Sequence, residues 1–229
     1  MKTSNKILLT LLSVLLATTV FVDFLLKRAY LKINLTDPFK NYAPVAIRPF
    51  KYLNIKGGNA YAIEIKQATK LDMKVMTSRK SFLTTAQHGD TLLIKFTVMS
   101  SMAMRDPEGL PHGLIISSPE IAEIIAEGSN NIITGWKMDS LKLTLTSNAS
   151  ASINNADLGK LSVRGNQNAV FNFHSENKVQ YLDLRLTDSA SAFLQGISYS
   201  VFNPLLTGDS QLIFNAQSAV KLKANGGNN

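Results

Sequence analysis

Apolar and polar residues alternate along most of this chain, and the alternation restarts on a fixed spacing. The segment LKLTLTSNASASI sets Leu141, Leu143 and Leu145 on one side and Lys142, Thr144 and Thr146 on the other. Strands project successive side chains to opposite faces, so a period of two predicts strands and not helix. The same arrangement restarts at Leu161 (LSVRGNQNAVFNF), Leu182 (LDLRLTDSASAFL) and Phe202 (FNPLLTGDSQLIF), at intervals of 20 or 21 residues. Each copy passes a small polar corner and closes on a large apolar residue: Ile153, Phe173, Leu194 or Phe214. The corners are Ser147 to Ala149, Gln167 to Ala169, Asp188 to Ala190 and Gly208 to Ser210, residue types that favour tight turns. An earlier copy runs from Ile121 through Gly128-Ser129 to Ile133.

A unit of this length with two short strands cannot bury its apolar row alone. Stacked units convert the rows into one continuous core. The expectation is an all-β fold, a parallel β-helix of about 20 residues per coil, preceded by one N-terminal helix. Leu141, Leu161 and Leu182 should share one interior column. Looser strand signals at Leu53 to Ile55, Ala60 to Ile65, Leu71 to Met76 and Thr91 to Val98 should supply the first coils. Pro204 has no amide to give to a ladder and predicts a bulged or interrupted strand. A leucine-rich repeat would need a helical turn in each unit, but the second half of each unit alternates again (Ala149, Ala151, Ile153). The last predicted strand, Val220-Lys221-Leu222-Lys223, places lysines on an open edge, which discourages further pairing. The expected organisation is a short tail (1–6), a membrane helix (7–26), a linker (27–49), the β-helix (50–223) and a flexible tail (224–229).

The N-terminal segment has a different pattern. Residues 7 to 26 are apolar almost without break, the exceptions being Asp23 and a few hydroxyls. As a helix this segment reaches about 30 Å, the thickness of a bilayer core. Its lipid-facing residues are Ile7, Leu8, Leu9, Leu11 and Leu12, then Val14, Leu15, Leu16 and Val20, then Phe21, Val22, Phe24, Leu25 and Leu26. Ala17-Thr18-Thr19 is a weak cleavage site followed directly by more apolar residues, which favours an uncleaved anchor over a removed signal. The lipid bilayer is therefore one expected partner. The expected location is a bacterial inner membrane with the β-helix facing the periplasm, or the cell envelope if the signal is cleaved.

Charge changes the picture little. The chain of 229 residues has a formal charge of +8, and half of that excess brackets the apolar segment. No basic stripe with interleaved aromatics occurs, which argues against nucleic acid as a partner. There are no cysteines, so disulfides and a lipid-modified N-terminal cysteine are excluded.

Two stretches resemble a known family. Phe50-Lys51-Tyr52-Leu53-Asn54-Ile55-Lys56-Gly57-Gly58 leads to Ala62-Ile63-Glu64-Ile65, and Ser118-Pro119-Glu120-Ile121 leads to Glu127-Gly128-Ser129. These stretches and the repeat after them are similar to the auto-transporter adhesin head domains, the head GIN family, over about residues 45–223. The resemblance implies a right-handed parallel β-helix in a bacterial envelope and a role in adhesion, and it brings no functional residues with it. The corners depart from the family, with Asn, Asp and Ala standing where Ser-Gly is usual.

Candidate chemistry is sparse. Arg164 and Arg185 should sit at equivalent outward positions with Asp183 beside them, a contact patch for a small anion or glycan, or else an ordinary solvated ion pair. Met99, Met102, Met104 and His112 could offer thioethers and an imidazole to a soft ion such as Cu(I), although Met more often fills gaps. Asp188 and Asp209 fall at successive corners, where a carboxylate pair could serve glycoside hydrolysis, but Asp at a corner is first a turn residue. Asn148 and Asn168 should stack as a short amide ladder. No Cys-x-x-Cys, phosphate-loop glycine pattern or nucleophile elbow occurs. The sequence thus predicts no cofactor and no enzyme. It points to a binding or structural domain of the envelope, whose partner would be an envelope glycan or protein. A polysaccharide-processing enzyme and a self-associating scaffold are the alternatives.

Overall fold

The computed structural model describes residues 3–31, 39–58, 62–97, 111–174 and 176–214. The chain divides into two units, Met1–Asn41 and Tyr42–Asn229. The first contains a 29-residue helix, α1 (Thr3–Leu31), longer than the apolar run that predicts it. It is long and apolar enough to cross a membrane, and none of its residues is buried by protein. The hydroxyls of Thr10, Ser13, Thr18 and Thr19 donate to helix carbonyls one turn back, so each is satisfied within the helix.

The second unit is mostly β. Its strands are β1 (Tyr42–Pro44), β2 (Tyr52–Lys56), β3 (Ala62–Gln67), β4 (Asp72–Met76), β5 (Leu83–His88) and β6 (Thr91–Phe96). These are followed by β7 (Leu114–Ser118), β8 (Glu123–Glu127), β9 (Asn130–Thr134), β10 (Lys137–Thr146), β11 (Ser150–Asn154) and β12 (Asp157–Gly165). The last are β13 (Val170–Phe173), β14 (Lys178–Leu186), β15 (Ser191–Leu194), β16 (Ser198–Leu206) and β17 (Gln211–Phe214). They form two mixed sheets, ordered β1-β4-β7-β3-β9-β11-β13-β15-β17 and β16-β14-β12-β10-β8-β2-β6-β5. From β8 onward the chain changes sheet at every corner, and each strand pairs in parallel with the strand one repeat away.

The register is the one the repeat predicts. Leu141 pairs with Leu161, Leu161 with Leu182, and Leu182 with Phe202. On the other sheet Ile133, Ile153, Phe173, Leu194 and Phe214 form a second column. Both columns point into one continuous apolar core, buried up to Leu194 and Ile197. One position in this core is empty of side chain. A Cβ on Gly165 would lie 2.5 Å from the Phe171 ring, so the glycine makes room for the aromatic residue.

The expectation of uniform parallel coils fails in the N-terminal third. β5 and β6 are joined by the two-residue turn Gly89-Asp90, and a tight hairpin can only pair antiparallel. β4 also runs antiparallel, against β7 and β1. Stacking order departs from chain order as well: β2 lies between β6 and β8, and β3 between β7 and β9. Pro204 neither bulges nor interrupts β16. It pairs in register with Leu184 on an edge strand of the described sheet, where its missing amide is not needed.

Corners are held by conformations that Asn and Asp tolerate. Ser147, Asn148, Gln167 and Asn168 take φ of 54°, 61°, 51° and 61°, and Asp188 takes 48°. The predicted amide ladder forms, with Asn168 Nδ2 donating to Asn148 Oδ1 at 3.2 Å, and Ser147 Oγ donates to Gln167 Oε1 at 3.0 Å beside it.

Candidate functional site

A stack of strands buries one side of each sheet and leaves the other as an outward face. The two outward faces differ in chemistry. Beyond β3, the sheet that ends in β17 presents two rows: Asn130, Ser150, Val170, Ser191, Gln211 and Ile132, Ser152, Asn172, Phe193, Ile213. Neither row contains a charged residue. Charged residues make up 17% of the chain, so about two would be expected among ten positions.

The opposite face carries the charges. One row runs Glu123, Lys142, Ser162, Asp183, Asn203, and the next runs Ile125, Thr144, Arg164, Arg185, Leu205. Lys142 Nζ pairs with Glu123 at 2.7 Å. Lys160 lies 5.3 Å from the centre of the Tyr181 ring, a cation held over an aromatic face. Asp183 accepts from Asn203 Nδ2 at 3.0 Å and pairs with Arg185 Nε at 3.5 Å. Arg164 and Arg185 are register partners on β12 and β14 and both are exposed. Their backbones thus lie one strand spacing apart, about 4.8 Å along the sheet, and both side chains leave the same face. One carboxylate serves Arg185, and among the described residues no side chain pairs with Arg164.

The other sequence candidates are placed differently. Met99, Met102 and Met104 lie outside the described residues. His112 is half-buried, its carbonyl accepts from the Tyr42 hydroxyl at 2.6 Å, and its Nδ1 is buried with no partner among the described residues. No group of three or more His, Cys, Asp or Glu that could hold a metal occurs among the described residues. Asp188 and Asp209 do not stand side by side. β15 and β17 pair Ser191 with Gln211, which sets Asp188 level with Gly208, and the Asp188 carbonyl accepts from the Ala190 amide within its own turn.

Sequence reasoning missed three polar groups that shape the stack. Asn177 is fully buried: its Oδ1 accepts from the Ala156 amide, and its Nδ2 donates to the carbonyls of Ile153 and His174. Asn131 is buried as well and donates to Ser129 and to the Ser150 carbonyl. Trp136 Nε1 donates to the Ile65 carbonyl at 3.1 Å, tying the repeats to the earlier β3. Trp136 and Asn177 fall at the corner position that Ala156 and Ile197 hold in other repeats, and Asn131 at the strand position of Ala151 and Ala192, and that was the available signal. At the far end of the stack, burial pushes the Tyr199 phenol up from its ordinary value, and its hydroxyl has no partner among the described residues.

Residues 51–229 match the model of the family described as "Putative auto-transporter adhesin, head GIN domain". The chain belongs to the head GIN domain family. The family match covers both outward faces and every repeat. The fold is also similar to that of a solved structure. A crystal structure of a "putative adhesin" from Parabacteroides merdae is similar at 14% identity and a TM-score of 0.54, over 76% of this chain and 80% of that one. A second "putative adhesin", from Bacteroides fragilis, is similar at 15% identity and a TM-score of 0.47, over 76% of this chain and 96% of that one. A "putative cell adhesion protein" from Clostridium sporogenes is similar at 10% identity and a TM-score of 0.35, over 76% and 97% of the two chains. No curated protein matches this head GIN chain.

Proposed function

We propose that this chain is a non-enzymatic, adhesin-like binding domain of the bacterial cell envelope, held to the inner membrane by α1. Its β unit is a right-handed parallel β-helix with irregular first coils, since parallel strands joined by crossovers are right-handed in nearly all proteins. The observation that carries the reading is the family match over residues 51–229, which takes in the whole in-register stack. The length and apolarity of α1 support the anchor. A rigid stack offers long, flat outward faces, and such faces suit extended ligands better than small buried ones. Arg164, Asp183 and Arg185 are the contact patch of this reading, facing an envelope glycan or protein.

The test uses the full chain in lipid nanodiscs, incubated with envelope preparations. Retention of the chain on envelopes, with no new glycan fragments released, is the expected result. Fragment release on incubation would replace the binding role with a polysaccharide-processing one. Concentration-dependent assembly without retention would favour the self-associating scaffold. Recovery of the chain in a soluble fraction of its cells would remove the anchor.

A further inference from the structure

We propose that the face formed by β10, β12 and β14 binds an acidic glycan, whose carboxylate or sulfate groups accept hydrogen bonds from Arg164 and Arg185. This rests on the binding-domain reading and names the ligand class. Four observations lead to it. First, Arg164 and Arg185 are locked in register on adjacent strands, so neither can leave the other without breaking the ladder. Second, Asp183 engages Arg185 through Nε, and the pair has no second carboxylate among the described residues. One positive charge therefore stays uncompensated beside a like charge on the adjacent strand, a position that an anionic oxygen group relieves. Guanidinium forks match the planar geometry of carboxylates and the oxygens of sulfates.

Third, the cations do not stop at the pair. Lys142 and Lys160 stand on the same face, one on β10 and one on β12. β10, β12 and β14 thus each carry a cationic side chain on this face, Lys142 already bonded to Glu123, at a rise of about 4.8 Å per strand. A polymer lying across these three strands meets the arginine pair and Lys160, and Lys142 where it displaces Glu123, whereas a single small anion would use the arginine pair alone. Fourth, the opposite face is free of charge across ten register positions, so the molecule gives an acidic polymer one side to prefer. Ser162, Thr144 and Asn203 border the pair with hydroxyl and amide groups suited to sugar hydroxyls.

The experiment measures binding of the full chain in nanodiscs to immobilised polygalacturonate, dextran sulfate and neutral dextran at two salt concentrations. Binding to at least one acidic polymer, weakened by salt, with none to neutral dextran, is expected. Arg164→Gln with Arg185→Gln should weaken it tenfold or more, with an unchanged melting temperature. Lys137→Gln with Lys178→Gln removes the same charge elsewhere on the sheet and should weaken binding less than twofold. Equal losses in the two double variants would reduce the effect to net charge and overturn the site. Retention on whole envelopes with no affinity for either acidic polymer would overturn this ligand class and leave the binding role standing. Loss of both would remove the two together.

Discussion

At the scale of single residues, the stack depends on buried polar groups that have partners and is weakened by those that do not. Asn177 supplies the acceptor for the buried Ala156 amide and adds second hydrogen bonds to the Ile153 and His174 carbonyls, which also accept from backbone amides. Replacing it with Ala should destabilise the fold by about 1–3 kcal/mol, the cost of orphaning the Ala156 amide. A urea titration should show a lower midpoint at constant slope, and a loss under about 1 kcal/mol would mean that water takes over those bonds. Tyr199 is the converse case. Its hydroxyl is buried without a partner among the described residues, so Tyr199→Phe should leave stability unchanged or raise it. The two proteins should diverge with pH. The folded state favours the neutral phenol, so the stability tied to it is fully present below the ordinary value of 10.0 and is lost as pH rises through the raised one. Thermal melts from pH 8 to 11 should show a steeper alkaline decline for the unmodified chain. Parallel declines would contradict the buried phenol.

At the scale of elements, size complementarity inside a coil matters as much as apolarity. Gly165 yields its space to Phe171, the neighbour its Cβ would strike. Gly165→Leu should destabilise by about 1–3 kcal/mol through overpacking. Adding Phe171→Ala should recover part of that loss, a coupling that a double-mutant cycle reads directly. Independent, additive losses would mean the two side chains do not share a site.

Elements also mark where sequence reading reaches its limit. Strands β8 to β17 were legible because each unit repeats the previous one, and local alternation and long-range pairing then carry the same information. β1, β5 and β7 carry no copy of the repeat. β7 is buried on both faces, so Leu114 to Ser118 shows no alternating burial for a period of two to reveal. The antiparallel pairing of β4 and the position of β2 between β6 and β8 depend on contacts far apart in the chain, and no local pattern encodes those. Pro204 was misread for a related reason: proline marks a missing donor, but only the sheet order tells whether a donor was needed there.

At the scale of the whole molecule, the candidate site was half legible. Equivalent repeat positions placed Arg164 beside Arg185, with Asp183 adjacent, before any coordinates. The pairing of Asp183 with Asn203 and the ten charge-free positions beyond β3 on the opposite sheet emerged only once the strands were assigned to two sheets. The binding account needs both faces to be continuous surfaces, and continuity needs every rung to lie where the register places it. The chain lacks cysteine, so spin labels can be attached at chosen sites alone. The row Leu93, Asn54, Ile125, Thr144, Arg164, Arg185, Leu205 crosses seven successive strands of one sheet. Pulsed electron-spin distances from a label at Leu205 to labels at Ile125, Asn54 and Leu93 should increase in that order, near 19, 24 and 29 Å, at about 4.8 Å per strand. A label at Asn54 lying farther from Leu205 than one at Leu93, or distances without a regular increment, would contradict the stack and the surfaces built on it.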